Sequence, residues 1–240
     1  MTVSEFLKSL NWCLTSTEDA AKIGLSLLDK PGQHYIITTN MEIMGQAMHH
    51  PDVTAICQKA ELHVPDGIGA LKILRKFGFK PEDRITGVDL GPKILELAPK
   101  GTKVFFFGAP RGIADSAMAR FSEVYKNINF VGADHGYDVS ETELFAKINA
   151  SRATILYVAL GVPKQERWIA KNLPNMPGIK LAMGVGGSFQ CWADPKARTP
   201  KWIQKLNLEW AHRVLREPAV RIPRFWKTLK SFLPMYFLGK

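Results

Sequence analysis

Apolar positions over the first 195 residues alternate between two patterns. Short β-branched or aromatic runs at residues 34–38, 103–107, 154–160 and 180–185 predict strands, with weaker runs at 61–64 and 129–131. Between them, helical spacing of apolar residues predicts helices over 17–29, 42–49, 68–77, 90–97, 113–125, 141–149 and 165–172. Thr17, followed by Glu18 and Asp19, is a helix-start signal for the first of these. Strands alternating with helices predict an α/β fold with a largely parallel sheet. Near 195–200 the pattern changes. Helix-like sequence follows with no further strand, interrupted by Pro218 and Pro223. The division predicted is an α/β core over 1–195 and a helical appendage over 196–240.

Charge separates the same two parts. From Lys196 onward eleven Lys and Arg face two acids, Glu209 and Glu217, so this stretch holds nine of the ten net positive charges. Trp202, Trp210, Phe225, Trp226, Phe232, Tyr236 and Phe237 lie among them. A basic segment interleaved with aromatics suits an anionic membrane surface or a nucleic acid. No apolar run reaches the roughly 18–20 residues that span a bilayer. The N-terminus lacks a basic region followed by an apolar one, so no secretory signal is expected. Cys13, Cys57 and Cys191 are odd in number and lack metal-ligand spacing, which fits a reducing cytoplasm.

Several predicted strands end in small-residue loops: Thr38-Thr39-Asn40, Gly108-Ala109-Pro110, Gly161 to Gln165 and Gly184 to Ser188. In a parallel sheet these loops share one edge, where ligands of open α/β sheets bind. Glycines there either make tight turns or let backbone N–H groups approach an anion, and a phosphorylated ligand fits the second case. No G-x-x-x-x-G-K-[ST] occurs, and Gly184-x-Gly186 meets Phe189 where a third glycine belongs, so common nucleotide fingerprints are missing. No D-x-D occurs, so a bound diphosphate would be met by Arg, Lys and backbone N–H groups. Asp66, between a strand and a helix, either caps the helix or serves as a general base. Arg84 either pairs with Asp83 or Asp89 or reaches an anionic ligand. Gln165 and Glu166 either begin a helix in the ordinary way or face a ligand. His135 is a candidate base or ligand contact.

Together the motifs say more. Thr38-x-Asn40, Pro65-Asp66-Gly67-Ile68-Gly69, Arg84-x-Thr86-Gly87-x-Asp89, Phe107-Gly108-Ala109, His135-Gly136-Tyr137, Leu160-Gly161-x-Pro163-Lys164-Gln165-Glu166 and Gly184-Val185-Gly186 occur in this order. Glu209-Trp210-x-x-Arg213 and Glu217-Pro218-x-x-Arg221-x-x-Arg224 follow. The set resembles the WecG/TagA/CpsF glycosyltransferase family from about Thr38 to Arg224.

The resemblance implies a Rossmann-like core and an inverting, metal-independent transfer with no cofactor. It implies a UDP-sugar donor, N-acetylmannosamine or a related hexose, and a polyprenyl-diphosphate-linked N-acetylglucosamine acceptor. Such a reaction serves teichoic acid and surface polysaccharide synthesis. It implies Asp66 as catalytic base. Thr38, Asn40, Arg84, His135, Gln165, Gly184 and Gly186 would bind substrate, and Arg213, Arg221 and Arg224 would neutralise a diphosphate. The setting implied is the cytoplasmic face of the membrane, reached through the C-terminal tail, with self-association into a homo-oligomer left open. Gln190 stands where many members carry an acid, so the resemblance speaks to the reaction class more than to the donor sugar. The competing reading, a nucleic-acid-binding α/β module using the same tail, predicts steep salt dependence and no sugar transfer. The apolar run Leu229 to Leu238 is greasier than a phosphate-tracking surface needs.

Overall fold

A computed structural model describes residues 1–206, 208–216 and 218–238. The side chains at 213, 220, 221, 224, 225, 227, 231 and 238 lie outside this description. In chain order the chain forms α1 (Val3–Lys8), α2 (Thr17–Ser26), β1 (His34–Thr39), α3 (Met41–His49), α4 (Pro51–Lys59), β2 (Leu62–Pro65) and α5 (Gly67–Lys76). Next come α6 (Gly87–Leu97), β3 (Lys103–Gly108), α7 (Ile113–Val124), β4 (Asn129–Asp134), α8 (Glu141–Ser151), β5 (Ile155–Ala159), α9 (Lys164–Asn172) and β6 (Leu181–Gly184). The chain then runs through α10 (Ser188–Ala193), α11 (Lys201–Lys205), α12 (Glu209–Arg216) and α13 (Pro218–Leu238).

All six strands predicted from the pattern are present, and they form one sheet in the order β2-β1-β6-β5-β3-β4. Every pairing is parallel, which confirms the α/β, Rossmann-like fold class. Side chains alternate across the sheet as the pleat requires. Tyr35, Ile37, Phe105, Phe107, Leu156, Val158 and Ala182 pack with α1, α3, α4, α5, α8 and α9. Ile36, Val104, Phe106, Ile155, Tyr157, Leu181 and Met183 pack with α2, α6, α7 and α10. With helices on both faces, the strands are apolar in both directions.

Three helices escape the periodicity reading: α1, α4 and α10. Two are six residues long, too short to show a period. The first is held by a capping box in which Thr2 and Glu5 satisfy each other's backbone N–H groups. The first long helix is capped one residue before the expected signal. Ser16 Oγ, not Thr17, accepts from Asp19 N at 3.0 Å.

The C-terminal segment returns to the core. Met235 of α13 is buried, Phe232 and Tyr236 pack against the same cluster, and Lys76 Nζ sits 4.6 Å from the Tyr236 ring centre. Trp226, Leu233 and Phe237 stay exposed.

Behind the sheet, α6 meets α10 with no room to spare. A Cβ at Gly91 would stand 2.5 Å from the Trp192 ring, which is anchored by its Nε1 donating to Val88 O at 3.0 Å. Gly91→Ala should therefore lower stability by about 1–3 kcal/mol despite the better helix propensity of alanine. Urea denaturation of the two proteins measures this; an unchanged or raised midpoint would show that Trp192 yields.

Candidate functional site

The C-terminal ends of β2, β1, β6 and β5 open into a pocket of about 490 Å³, roofed by α12 and α13. Glycine turns and helix N-termini meet here because parallel strands all end on this edge.

Asp66 follows β2 at the N-cap position of α5, yet its side chain makes no capping bond. It lines the pocket, and its backbone N–H donates to Thr39 O at 2.9 Å. The capping bond that the sequence left open for this acid is not made.

Thr38 is buried at the end of β1, where its Oγ1 donates to Gly184 O at 3.3 Å. Asn40 caps α3, its Oδ1 accepting from Ile43 N at 3.0 Å. The amide NH₂ is the part of Asn40 left for a ligand. Both residues line the pocket.

Gln165 lines the same pocket but is only 1% exposed. Its Oε1 accepts from Gly161 N (3.2 Å) and Gly186 N (3.0 Å), and its Nε2 donates to Glu166 Oε1 (2.8 Å). It clamps the loops after β5 and β6 together. Gly186 adopts a left-handed φ of 53° to present its N–H. Gly184 leaves the space this side chain fills, since a Cβ there would lie 2.5 Å from Gln165 Nε2. Thus Gly184 and Gly186 serve the site by shaping it around Gln165.

Glu166, open in the sequence to a helix-start or a ligand-facing role, is withdrawn from both the surface and the pocket lining. It is 2% exposed, and its Oε2 has no hydrogen-bond partner among the described residues. Burial pushes its carboxyl up to about 7, opposed by the bond from Gln165 and aided by Glu42.

Arg84 lies in the pocket wall with its Nη1 2.9 Å from Glu209 Oε2 of α12 and its Nη2 3.4 Å from Gln204 O. Neither Asp83 nor Asp89 is its ion-pair partner. Asp89 instead pairs with Arg198 at 2.7 Å. The Arg84–Glu209 bridge, largely withdrawn from water, ties the roof to the core.

Two candidates are not brought to this pocket. His135 follows β4 at the far edge of the sheet, where its Nδ1 accepts from Tyr137 N at 3.3 Å. Its strand lies two places beyond β5, the last to contribute to the lining. Gln190 is exposed on α10 and does not line the pocket either. Arg213, Arg221 and Arg224 lie on α12 and α13, and their side chains fall outside the described residues. Glu42 and Lys72 also line the pocket; in the sequence they look like ordinary solvated helix positions. Among the described residues no three His, Cys, Asp or Glu side chains converge as a metal site would need.

The sequence matches the WecG/TagA/CpsF glycosyl transferase family over residues 9–240. The chain belongs to this family.

Among relatives, a Bacillus spizizenii N-acetylglucosaminyldiphosphoundecaprenol N-acetyl-beta-D-mannosaminyltransferase is 33% identical, covering 92% of this chain and 83% of its own. The Bacillus subtilis protein of the same name is 30% identical over 89% and 84%. A Staphylococcus aureus protein of that name is 33% identical over 75% and 71%. The glycosyl transferase family thus assigns this chain its reaction class, and the pocket over the strand ends is the candidate active site.

The buried acid beneath that pocket has a measurable signature. Glu166 keeps its proton in the folded chain up to about pH 7, whereas the unfolded chain loses it near 4.5. Stability is therefore lost as pH rises from 4.5 to 7, and the cost is complete above 7, on the order of 3 kcal/mol. Glu166→Gln should match wild type near pH 4 and exceed it at pH 8. Urea titrations at both pH values check this; equal stability at pH 8 would show that the carboxylate is accommodated.

Proposed function

We propose that the protein is an inverting, metal-independent glycosyltransferase. It moves N-acetylmannosamine or a related hexose from a UDP-sugar to a polyprenyl-diphosphate-linked N-acetylglucosamine. The observation that carries this reading is Asp66, an acid at a helix N-cap position that does not cap and lines a pocket between glycine loops and Arg84. Asp66 takes the proton of the acceptor hydroxyl as that oxygen attacks the anomeric carbon. The bond from that carbon to the UDP oxygen breaks on the opposite face. The departing diphosphate needs positive charge and N–H donors. Arg84 is one source, and Arg213, Arg221 and Arg224 are the family-matched arginines of the appendage. Thr38 and Asn40 orient the sugar, and Gln165 keeps the loops at the spacing the reaction needs. The relatives' names support the acceptor class and the mannosaminyl donor.

Incubation with UDP-sugars and a short-chain polyprenyl-diphosphate N-acetylglucosamine in EDTA-containing buffer tests the reading. Wild type should release UDP with at least one donor, and Asp66→Asn should lose about 10²–10⁴ in rate while still binding the donor. Wild-type turnover in that variant would remove Asp66 from the chemistry, and no turnover in the parent would remove the reaction.

We further propose that the appendage docks on the cytoplasmic face of the membrane. Among the described residues no helix is long and apolar enough to cross one. The exposed Trp226 and Phe237 of α13, at 56% and 67%, supply aromatic contacts for the headgroup layer. Replacing both with Ser should reduce co-sedimentation with anionic vesicles without changing turnover of a water-soluble acceptor. Unchanged sedimentation would mean that another surface docks.

A further inference from the structure

A second cavity, of about 880 Å³, lies on another side of Arg84 and is separate from the strand-end loops. It runs between the Asp83–Asp89 segment of the core and residues 195–205, where the appendage begins. Four cations line it: Arg84, Arg198, Lys201 and Lys205. The acids are Asp83 and Asp89, and both are engaged. Asp83 Oδ1 accepts from the backbone N–H of Arg84 at 2.7 Å. Asp89 accepts from Thr86 Oγ1 at 2.6 Å and pairs with Arg198 Nη2 at 2.7 Å. Arg198 keeps a buried Nε with no partner among the described residues. Arg84 and Arg198 are held by Glu209 and Asp89, so it is Lys201 and Lys205 that give the wall its positive surplus over Asp83, which is anion-site chemistry.

The rim narrows the choice of anion. Lys201 and Lys205 are one helical turn apart on α11 and line the cavity. Trp202 and Leu206, the next residues along, are 65% and 60% exposed. This short segment thus sets a cationic stripe beside an apolar one. A nucleoside base could stack on Trp202 alone, whereas the prenyl chain of a polyprenyl diphosphate uses Trp202 and Leu206 together and its diphosphate uses the lysines. The reaction proposed above joins two diphosphate-bearing substrates, so one anion site does not suffice.

We propose that this second cavity holds the diphosphate of the polyprenyl acceptor, with the prenyl chain leaving along Trp202 and Leu206. The inference rests on the glycosyl-transfer reading for its choice of substrate. Arg84 stands in the wall common to both cavities, so a sugar carried on this diphosphate reaches past it toward Asp66.

Calorimetric titration of the full chain with farnesyl diphosphate, without any sugar, tests the site apart from turnover. Wild type should bind it, and Lys201→Glu/Lys205→Glu should weaken binding by about tenfold or more. Trp202→Ser should weaken farnesyl diphosphate while leaving inorganic pyrophosphate unchanged. In the transfer assay the double variant should raise KM for a water-soluble acceptor and leave KM for the UDP-sugar within about twofold. No binding by wild type, equal binding by the double variant, or a rise in donor KM instead would each overturn the site. A defect seen only with acceptor in vesicles would overturn it too, assigning the lysines to headgroups. If farnesyl diphosphate binds as expected but no donor turns over, the site stands and the proposed reaction falls.

Discussion

One buried amide organises the pocket. Gln165 draws two backbone N–H groups, from the loops after β5 and β6, onto a single oxygen. In an environment closed to water, each of these groups would be costly to leave unpaired, so the two loops are held at one separation. The other end of the amide is fixed by Glu166, which prevents the side chain from flipping oxygen for nitrogen. Gly184 completes the arrangement by leaving the volume that the glutamine occupies. The positions of Thr38 and Gly186 follow from this unit, since the first bonds to Gly184 and the second to Gln165 itself.

Charge is distributed in two tiers around that unit. Beneath the pocket, burial keeps Glu166 protonated toward neutrality, so the floor adds little negative charge where an anion is to bind. Above it, the basic appendage is secured to the core by one of its two acids, through the Arg84–Glu209 pair. Since Arg84 also faces both cavities, an arriving phosphate and Glu209 draw on the same guanidinium. The contact that fixes the roof therefore lies in the wall of both cavities.

Much of this was legible beforehand. The strands announced themselves because central parallel strands are apolar on both faces, as Phe105-Phe106-Phe107 illustrates. Asp66 could be singled out, but whether it capped a helix was a matter of geometry. His135 shows the limit more sharply. Its loop reads like its neighbours in sequence, and only the strand order, with β4 at the far edge, carries it away from the pocket. Arg84 read as pairing with a nearby aspartate or reaching an anionic ligand, and Glu209, its ion-pair partner, lies 125 residues on, a contact no local pattern announces. Glu166 stayed open between helix start and ligand contact because an acid in the first turn of a helix is ordinary. Its burial follows from how α9 meets the sheet.

The place of β6 also governs how the chain must assemble. It pairs with β1 on one side and β5 on the other, so β2-β1 and β5-β3-β4 are two half-sheets with no hydrogen bonds between them until it arrives. It is also the last strand among the described residues. Synthesis must therefore run past Gly184 before the sheet can close, with unpaired edges on β1 and β5 in the meantime. Such non-local pairing is slow by nature. The catalytic edge comes into being late, in the same step that makes the molecule one piece.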